Sequence, residues 1–250
     1  MRLLRKLAGG SFVLTKDLDE DDIPPYAILS HTWGTDEEEV SYADIVGETG
    51  GQKKGYKKLE FCAEQAQQDG LRYFWADTCC IDKSNSVELN TAITSMFGWY
   101  ANAIKCYVYL PDVPGTGSST SNSGIADQEA RFRGCRWLTR GWTLQEVLAP
   151  RIVEFYNETG AKIGDKLSLE RHLRDITGIP ADALRGRALS SFSIEERLSW
   201  QMSRRTKKPE DAAYSLMGIC GISMVPIYGE GKEKAMARLR RAVADELQGE

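Results

Sequence analysis

Histidine is scarce in this chain: the 250 residues contain two, His31 and His172. No Cys/His spacing resembles a zinc site, and two carboxylates flanking a cysteine pair, Asp77 and Asp82, are a weak metal signal. No metal is expected. No apolar run approaches the ~20 residues that a membrane helix needs, so no membrane association is expected. The first residues, Met1-Arg2-Leu3-Leu4-Arg5-Lys6-Leu7, carry charge but lack the unbroken apolar stretch of a secretory signal. The six cysteines are scattered, no CxxC occurs, and the adjacent pair Cys79-Cys80 has a geometry that rarely bridges. Reduced thiols and a cytoplasmic location follow as expectations. A basic excess is missing as well. The net charge of −4 argues against tracking a nucleic-acid backbone, and the one basic run, Arg204, Arg205, Lys207 and Lys208, reads as a solvated loop. Gly229-Glu230-Gly231-Lys232 has neither the spacing of a phosphate loop nor a strand before it.

What is present is an alternation of strand and helix signals. Tyr26–Ser30, Leu71–Ala76 and Ile104–Leu110 are short, apolar and rich in aromatic or branched residues, as strands are. Ile152–Tyr156 is a fourth candidate. Between the first two, Tyr56, Leu59, Cys62, Ala63 and Ala66 share a helical face that Asp69-Gly70 ends. Between the second and third, Asn85 caps a helix with Glu88 at capping-box spacing, and Leu89, Ile93, Met96, Phe97 and Tyr100 form a core stripe. Such an order implies a mainly parallel sheet with right-handed crossovers. Gly47–Gly55 reads as a Gly-rich loop and Pro114–Asp127 as a mobile surface loop. Four helical stretches follow: 167–176, 194–202 with Ser193 and Glu196 as a capping box, 211–219, and 233–247 with Met236, Leu239, Val243 and Leu247 as its stripe. The expected plan is one domain over 1–250, an α/β core at about 20–157 and a helical extension, 158–250, packed on it.

In parallel sheets, ligands bind beyond the carboxyl ends of the strands. Here those ends are polar: Ser30-His31-Thr32-Trp33-Gly34, then Asp77-Thr78, then Asp112. Cys79 or Cys80 with His31 could form a nucleophile and base; two small buried side chains is the plainer reading. The most unusual segment runs from Arg136 to Leu148. On a helix Trp142 and Glu146 share a face, which suits a ligand with an aromatic ring and a sugar. Thr143 and Glu146 also have capping-box spacing, so a purely structural role stays open.

Six segments resemble the heterokaryon incompatibility (HET) domain of fungal vegetative incompatibility proteins. They are Ala27–Gly34, Trp75–Lys83, Ser95–Tyr100, Arg136–Glu146, Ala213–Ile219 and Tyr228–Gly231, in matching order across nearly the whole chain. The family often has Phe where Leu138 stands and Leu where Val147 stands. The resemblance implies a fungal cell-death effector, often the leading part of a longer chain with a nucleotide-binding oligomerisation (NOD-type) module acting in cis or trans. The chain is then a short member or an excised domain. A more distant resemblance, to Toll/interleukin-1 receptor (TIR) domains, rests on the order of strands and on Trp142-Thr143-Leu144-Gln145-Glu146. It implies a flavodoxin-like, TIR-like sheet, self-association, and cleavage of NAD as a substrate with no separate cofactor. Glu146 would then be catalytic, and Ser30, His31, Trp33, Gly34, Asp77, Thr78 and Trp142 would bind the dinucleotide. The same resemblance admits a module that only self-associates and signals.

Overall fold

The computed structural model describes residues 1–115 and 129–249. Among them, seven strands form one mixed sheet: β1 (Leu4–Lys6), β2 (Phe12–Leu14), β3 (Tyr26–His31), β4 (Tyr73–Trp75), β5 (Lys105–Tyr109), β6 (Val153–Tyr156) and β7 (Lys162–Asp165). Their order across the sheet is β2-β1-β4-β3-β5-β6-β7. The inner four, β4-β3-β5-β6, are parallel, and the outer pairings are antiparallel. The three expected strands therefore lie together, with β3 between the other two, and the fourth candidate forms β6. All six residues of β3 are buried. A strand covered on both faces needs no polar alternation, which is why Tyr26-Ala27-Ile28-Leu29-Ser30 reads as an unbroken run. The hairpin β1–β2 and the edge strand β7 were not anticipated; each has three or four residues, too few for a period to show.

Helix α1 (Tyr42–Val46) precedes α2 (Tyr56–Gln68), and a 3-10 turn, Gly50–Gln52, occupies the Gly-rich stretch between them. The predicted face of α2 is buried at Leu59, Cys62, Ala63 and Ala66, and Gly70 takes the left-handed conformation, φ +73°, just past its end. In α3 (Ser86–Asn102) the Asn85 side chain accepts from the amides of Val87 and Glu88. Glu88 does not close the box; its carboxylate pairs with Arg2 and accepts from the Asp82 amide. The short helix α4 (Thr143–Leu148) leads into β6.

The C-terminal part holds α5 (Glu170–Thr177), α6 (Ala181–Leu184), α7 (Ile194–Ser199), α8 (Asp211–Tyr214), α9 (Met217–Cys220) and α10 (Lys232–Gly249). The Ser193–Glu196 capping box is formed in both directions. The single helix expected over 211–219 is two, parted at Ser215-Leu216. The α10 stripe is shorter than expected: Leu239 and Val243 are buried, Leu247 is exposed. Helix α9 lies so close to α3 that a side chain at Gly218 would collide with Phe97. Buried side chains of the sheet and of these helices form one continuous apolar cluster. Among the described residues no helix is long and apolar enough to cross a membrane. Residues 116–127 of the expected surface loop lie outside the described residues.

Candidate functional site

The ends of β3 and β4 open into a cleft of about 410 Å³. Trp33, Asp77 and Thr78 line it together with Arg140, Trp142 and Thr143, and the C-terminal part adds Lys207, Lys208 and Tyr228. Leu89, Ile93 and Met96 of α3 give it an apolar face, so part of the expected core stripe also faces the cleft.

Glu146 lies at the bottom and is buried. Its carboxylate accepts a short hydrogen bond from the Ser30 hydroxyl, which itself accepts from Trp137 Nε1 at 2.7 Å. Desolvation pushes the Glu146 carboxyl up to about 8, and the Asp77 charge adds to this; the Ser30 and Tyr100 hydroxyls and the Arg140 charge pull the other way and lose. The capping-box alternative fails on geometry. Trp142 occupies the cap position and makes no side-chain cap bond, while the Thr143 hydroxyl turns back to the carbonyls of Trp137 and Arg140.

A second buried carboxylate, Glu39, lies on the same cleft. It accepts from Lys58, from the Gly34 amide at 2.5 Å, and faces His31 Nε2 at 3.7 Å. Burial pushes its pKa up, but His31 and Lys58 outweigh that and hold it at about 2. His31 Nε2 is buried without a hydrogen-bond partner, and Asp77 Oδ1 is 3.9 Å away. Trp33 Nε1 donates to Asp77 Oδ2 at 2.8 Å, and the Lys83 ammonium sits 3.8 Å from the Trp33 ring centre. Across the cleft Tyr228 donates to Asp211 at 2.9 Å, and Lys208 lies 3.6 Å over its ring.

His31, Trp33, Asp77, Thr78, Trp142 and Glu146 thus face one cleft. Ser30 and Gly34 do not line it: the Ser30 hydroxyl bonds Glu146 and the Gly34 amide bonds Glu39. Asp112 does not join them: it accepts from the Arg136 amide. Glu39, Lys83, Arg140, Asp211 and Tyr228 were missed, because nothing in their local sequence shows which residues fold against them. The basic run is exposed at Arg205, Lys207 and Lys208, as expected, but Arg204 is buried, and Lys207 and Lys208 also line the cleft.

The cysteine pair takes its plainer reading. Cys79 and Cys80 are buried free thiols, and desolvation raises both, Cys79 to about 12, which disfavours the nucleophilic thiolate. The Gly229–Lys232 loop does present its amides to an anion, but the anion is the chain's own: Gly229 and Gly231 donate to Glu210 Oε1 at 2.9 and 3.0 Å. Among the described residues no group of three His, Cys, Asp or Glu side chains could hold a metal ion.

Residues 26–130 match the sequence model of the family described as heterokaryon incompatibility protein (HET). Over 243 residues the chain is 54% identical to the vegetative incompatibility protein HET-E-1 of Podospora anserina, a match covering 97% of this chain and 18% of that protein. The chain therefore spans less than a fifth of the relative's length. No solved structure matches significantly.

Proposed function

The chain carries a heterokaryon incompatibility domain, and from that premise we propose that it is a fungal cell-death effector domain that cleaves NAD at the nicotinamide N-glycosidic bond, with Glu146 as the catalytic residue. The observation that carries this reading is the buried Glu146 carboxyl, fixed by Ser30 at the bottom of an aromatic-walled cleft. The parallel strands add support: in chain order they lie 2-1-3-4, as the first four strands of a flavodoxin-like sheet do. Where that sheet would add a fifth parallel strand, β7 is antiparallel.

The chemistry suits a single carboxylate. Glycoside hydrolysis usually needs an acid to protonate the leaving oxygen. The nicotinamide of NAD is already cationic and leaves neutral, taking the electron pair of the C1′–N bond. The remaining task is to stabilise the cation left on the ribose until water adds to C1′ and loses a proton. A fixed, buried carboxylate does this. The raised pKa fits the same step: a bound nicotinamide cation lowers it and draws Glu146 into its charged form. Self-association would complete the site, and a NOD-type module, in the same chain or another, would drive that association.

The test is NAD consumption by the purified chain over a ~100-fold concentration range, with Glu146→Gln beside it. Specific activity should rise with concentration, by mass action. The variant should lose ~100-fold or more, as lost transition-state electrostatics does. A wild type that kills cells without consuming NAD would overturn the enzyme reading and leave a module that only signals.

A further inference from the structure

Arg204 is a charge in an unusual place. It is buried, its Nε and Nη2 have no hydrogen-bond partner, and Nη1 donates to the Arg140 carbonyl at 2.9 Å and to Thr143 Oγ1 at 2.8 Å. Both acceptors belong to the turn that starts α4. The neighbouring backbone grips the same turn: the Arg205 amide donates to the Thr139 carbonyl at 2.7 Å, and the Gly141 amide to the Arg205 carbonyl at 2.9 Å. The approach is close enough that a side chain at Gly141 would collide with Thr206 and Gln201.

A guanidinium stripped of water and only partly hydrogen-bonded is costly unless an anion compensates it. The carboxyl that acts on it is Glu146, three residues beyond Thr143 on the helix whose start Arg204 holds; when ionised, it favours the guanidinium's charge. We propose that Arg204 is a positioning residue for Glu146: it pins the first turn of α4 from the C-terminal part of the chain and places a buried positive charge that favours ionisation of the Glu146 carboxyl. The role in catalysis rests on the NAD-cleavage reading; the coupling of the two charges does not.

The other groups facing Glu146 are Asp77 after β4, Tyr100 on α3, Cys106 on β5 and Arg140 before α4. Asp77 opposes ionisation. Arg140 favours it, but it lines the open cleft, where solvent weakens its field. Arg204 is buried, where solvent screens a charge less.

The experiment is a titration of the Glu146 carboxyl by carbon-13 NMR, assigned by its absence in Glu146→Gln, in the wild type and in Arg204→Gln. Removing the guanidinium should raise the proton affinity of Glu146 by about tenfold or more. A folded Arg204→Gln with an unmoved midpoint overturns the proposal. A second measurement needs no change at Arg204: its guanidinium nitrogen signals in the wild type should shift with the Glu146 midpoint and stay flat in Glu146→Gln. Signals that ignore that midpoint overturn the proposal even if Arg204→Gln does not fold. If NAD is cleaved, Arg204→Gln should lower kcat at pH 7 with little change in KM and recover at higher pH. An inert wild type with both titrations as expected would remove the reaction and leave the charge coupling standing.

Discussion

Glu39 and Glu146 line the same cleft and are both buried, yet they sit at opposite ends of the carboxyl range. Glu39 is held at about 2 and Glu146 is pushed up to about 8. Burial does not separate them. The partners do. Glu39 has an ammonium, a backbone amide and an imidazole against it; the hydrogen-bond partner of Glu146 is the Ser30 hydroxyl, which satisfies a hydrogen bond without cancelling charge. One glutamate is built to stay ionised and hold the loop that carries Trp33. The other is left able to change charge. Two carboxyls driven apart in this way are the pattern by which folds divide structural from chemical work.

The strongest way to break the comparison is to remove the satisfied member. Glu39→Ala strands the Lys58 ammonium, buried against the Thr32 carbonyl, and should cost about 3–5 kcal/mol in urea melts at pH 7. Replacing both, Glu39→Gln with Lys58→Met, should recover most of it.

Next in size is a difference of sign with pH. Glu39 has a lowered pKa, so its contribution is full above ~4.5 and is lost as pH falls towards 2. Glu146 has a raised pKa: the folded state binds a proton that the unfolded chain has already released. Its cost is therefore absent below ~4.5, grows as pH rises from there to about 8, and is constant above. Glu146→Gln should match the wild type in stability near pH 5 and exceed it by on the order of 3 kcal/mol at pH 9. Equal melts at both values would mean that the carboxyl is not strained at all.

The smallest effect belongs to the rim. Lys83→Met removes an ammonium stacked on Trp33 at a part-exposed site and should cost under ~1 kcal/mol. A larger loss in thermal melts would show Lys83 to be part of the satisfied region rather than of the open cleft.

The inner sheet was legible because a doubly covered strand shows as a continuous apolar run, and four such runs punctuated by helical faces leave few topologies open. The hairpin at the N-terminus was illegible because Leu4-Arg5-Lys6 and Phe12-Val13-Leu14 are too short to carry a period. The site was half readable. Polar residues at the ends of β3 and β4 mark a cleft wherever parallel strands stop, so His31, Trp33, Asp77 and Thr78 could be named. Lys207, Lys208 and Tyr228 could not be placed there, since their approach to the cleft depends on how α7 to α9 pack. Spacing alone also left open whether Thr143 and Glu146 cap a helix; the place of Trp142 at the cap, the turn of the Thr143 hydroxyl to the Trp137 and Arg140 carbonyls, and the Ser30 hydroxyl on Glu146 decide it.

The grip of residues 204–205 on the turn before α4 has a consequence in time. Ser30 and Glu146 are 116 positions apart, Thr143 and Arg204 are 61, and the ion pair of Asp36 with Lys207 spans 171. Contacts of such separation form late, after shorter loops have closed. A ribosome delivers residue 30 well before residue 228. A product cut short before Lys207 lacks Lys207, Lys208, Asp211 and Tyr228, and with them part of the cleft's lining. The cleft, whatever it acts on, is among the last parts of the molecule to exist.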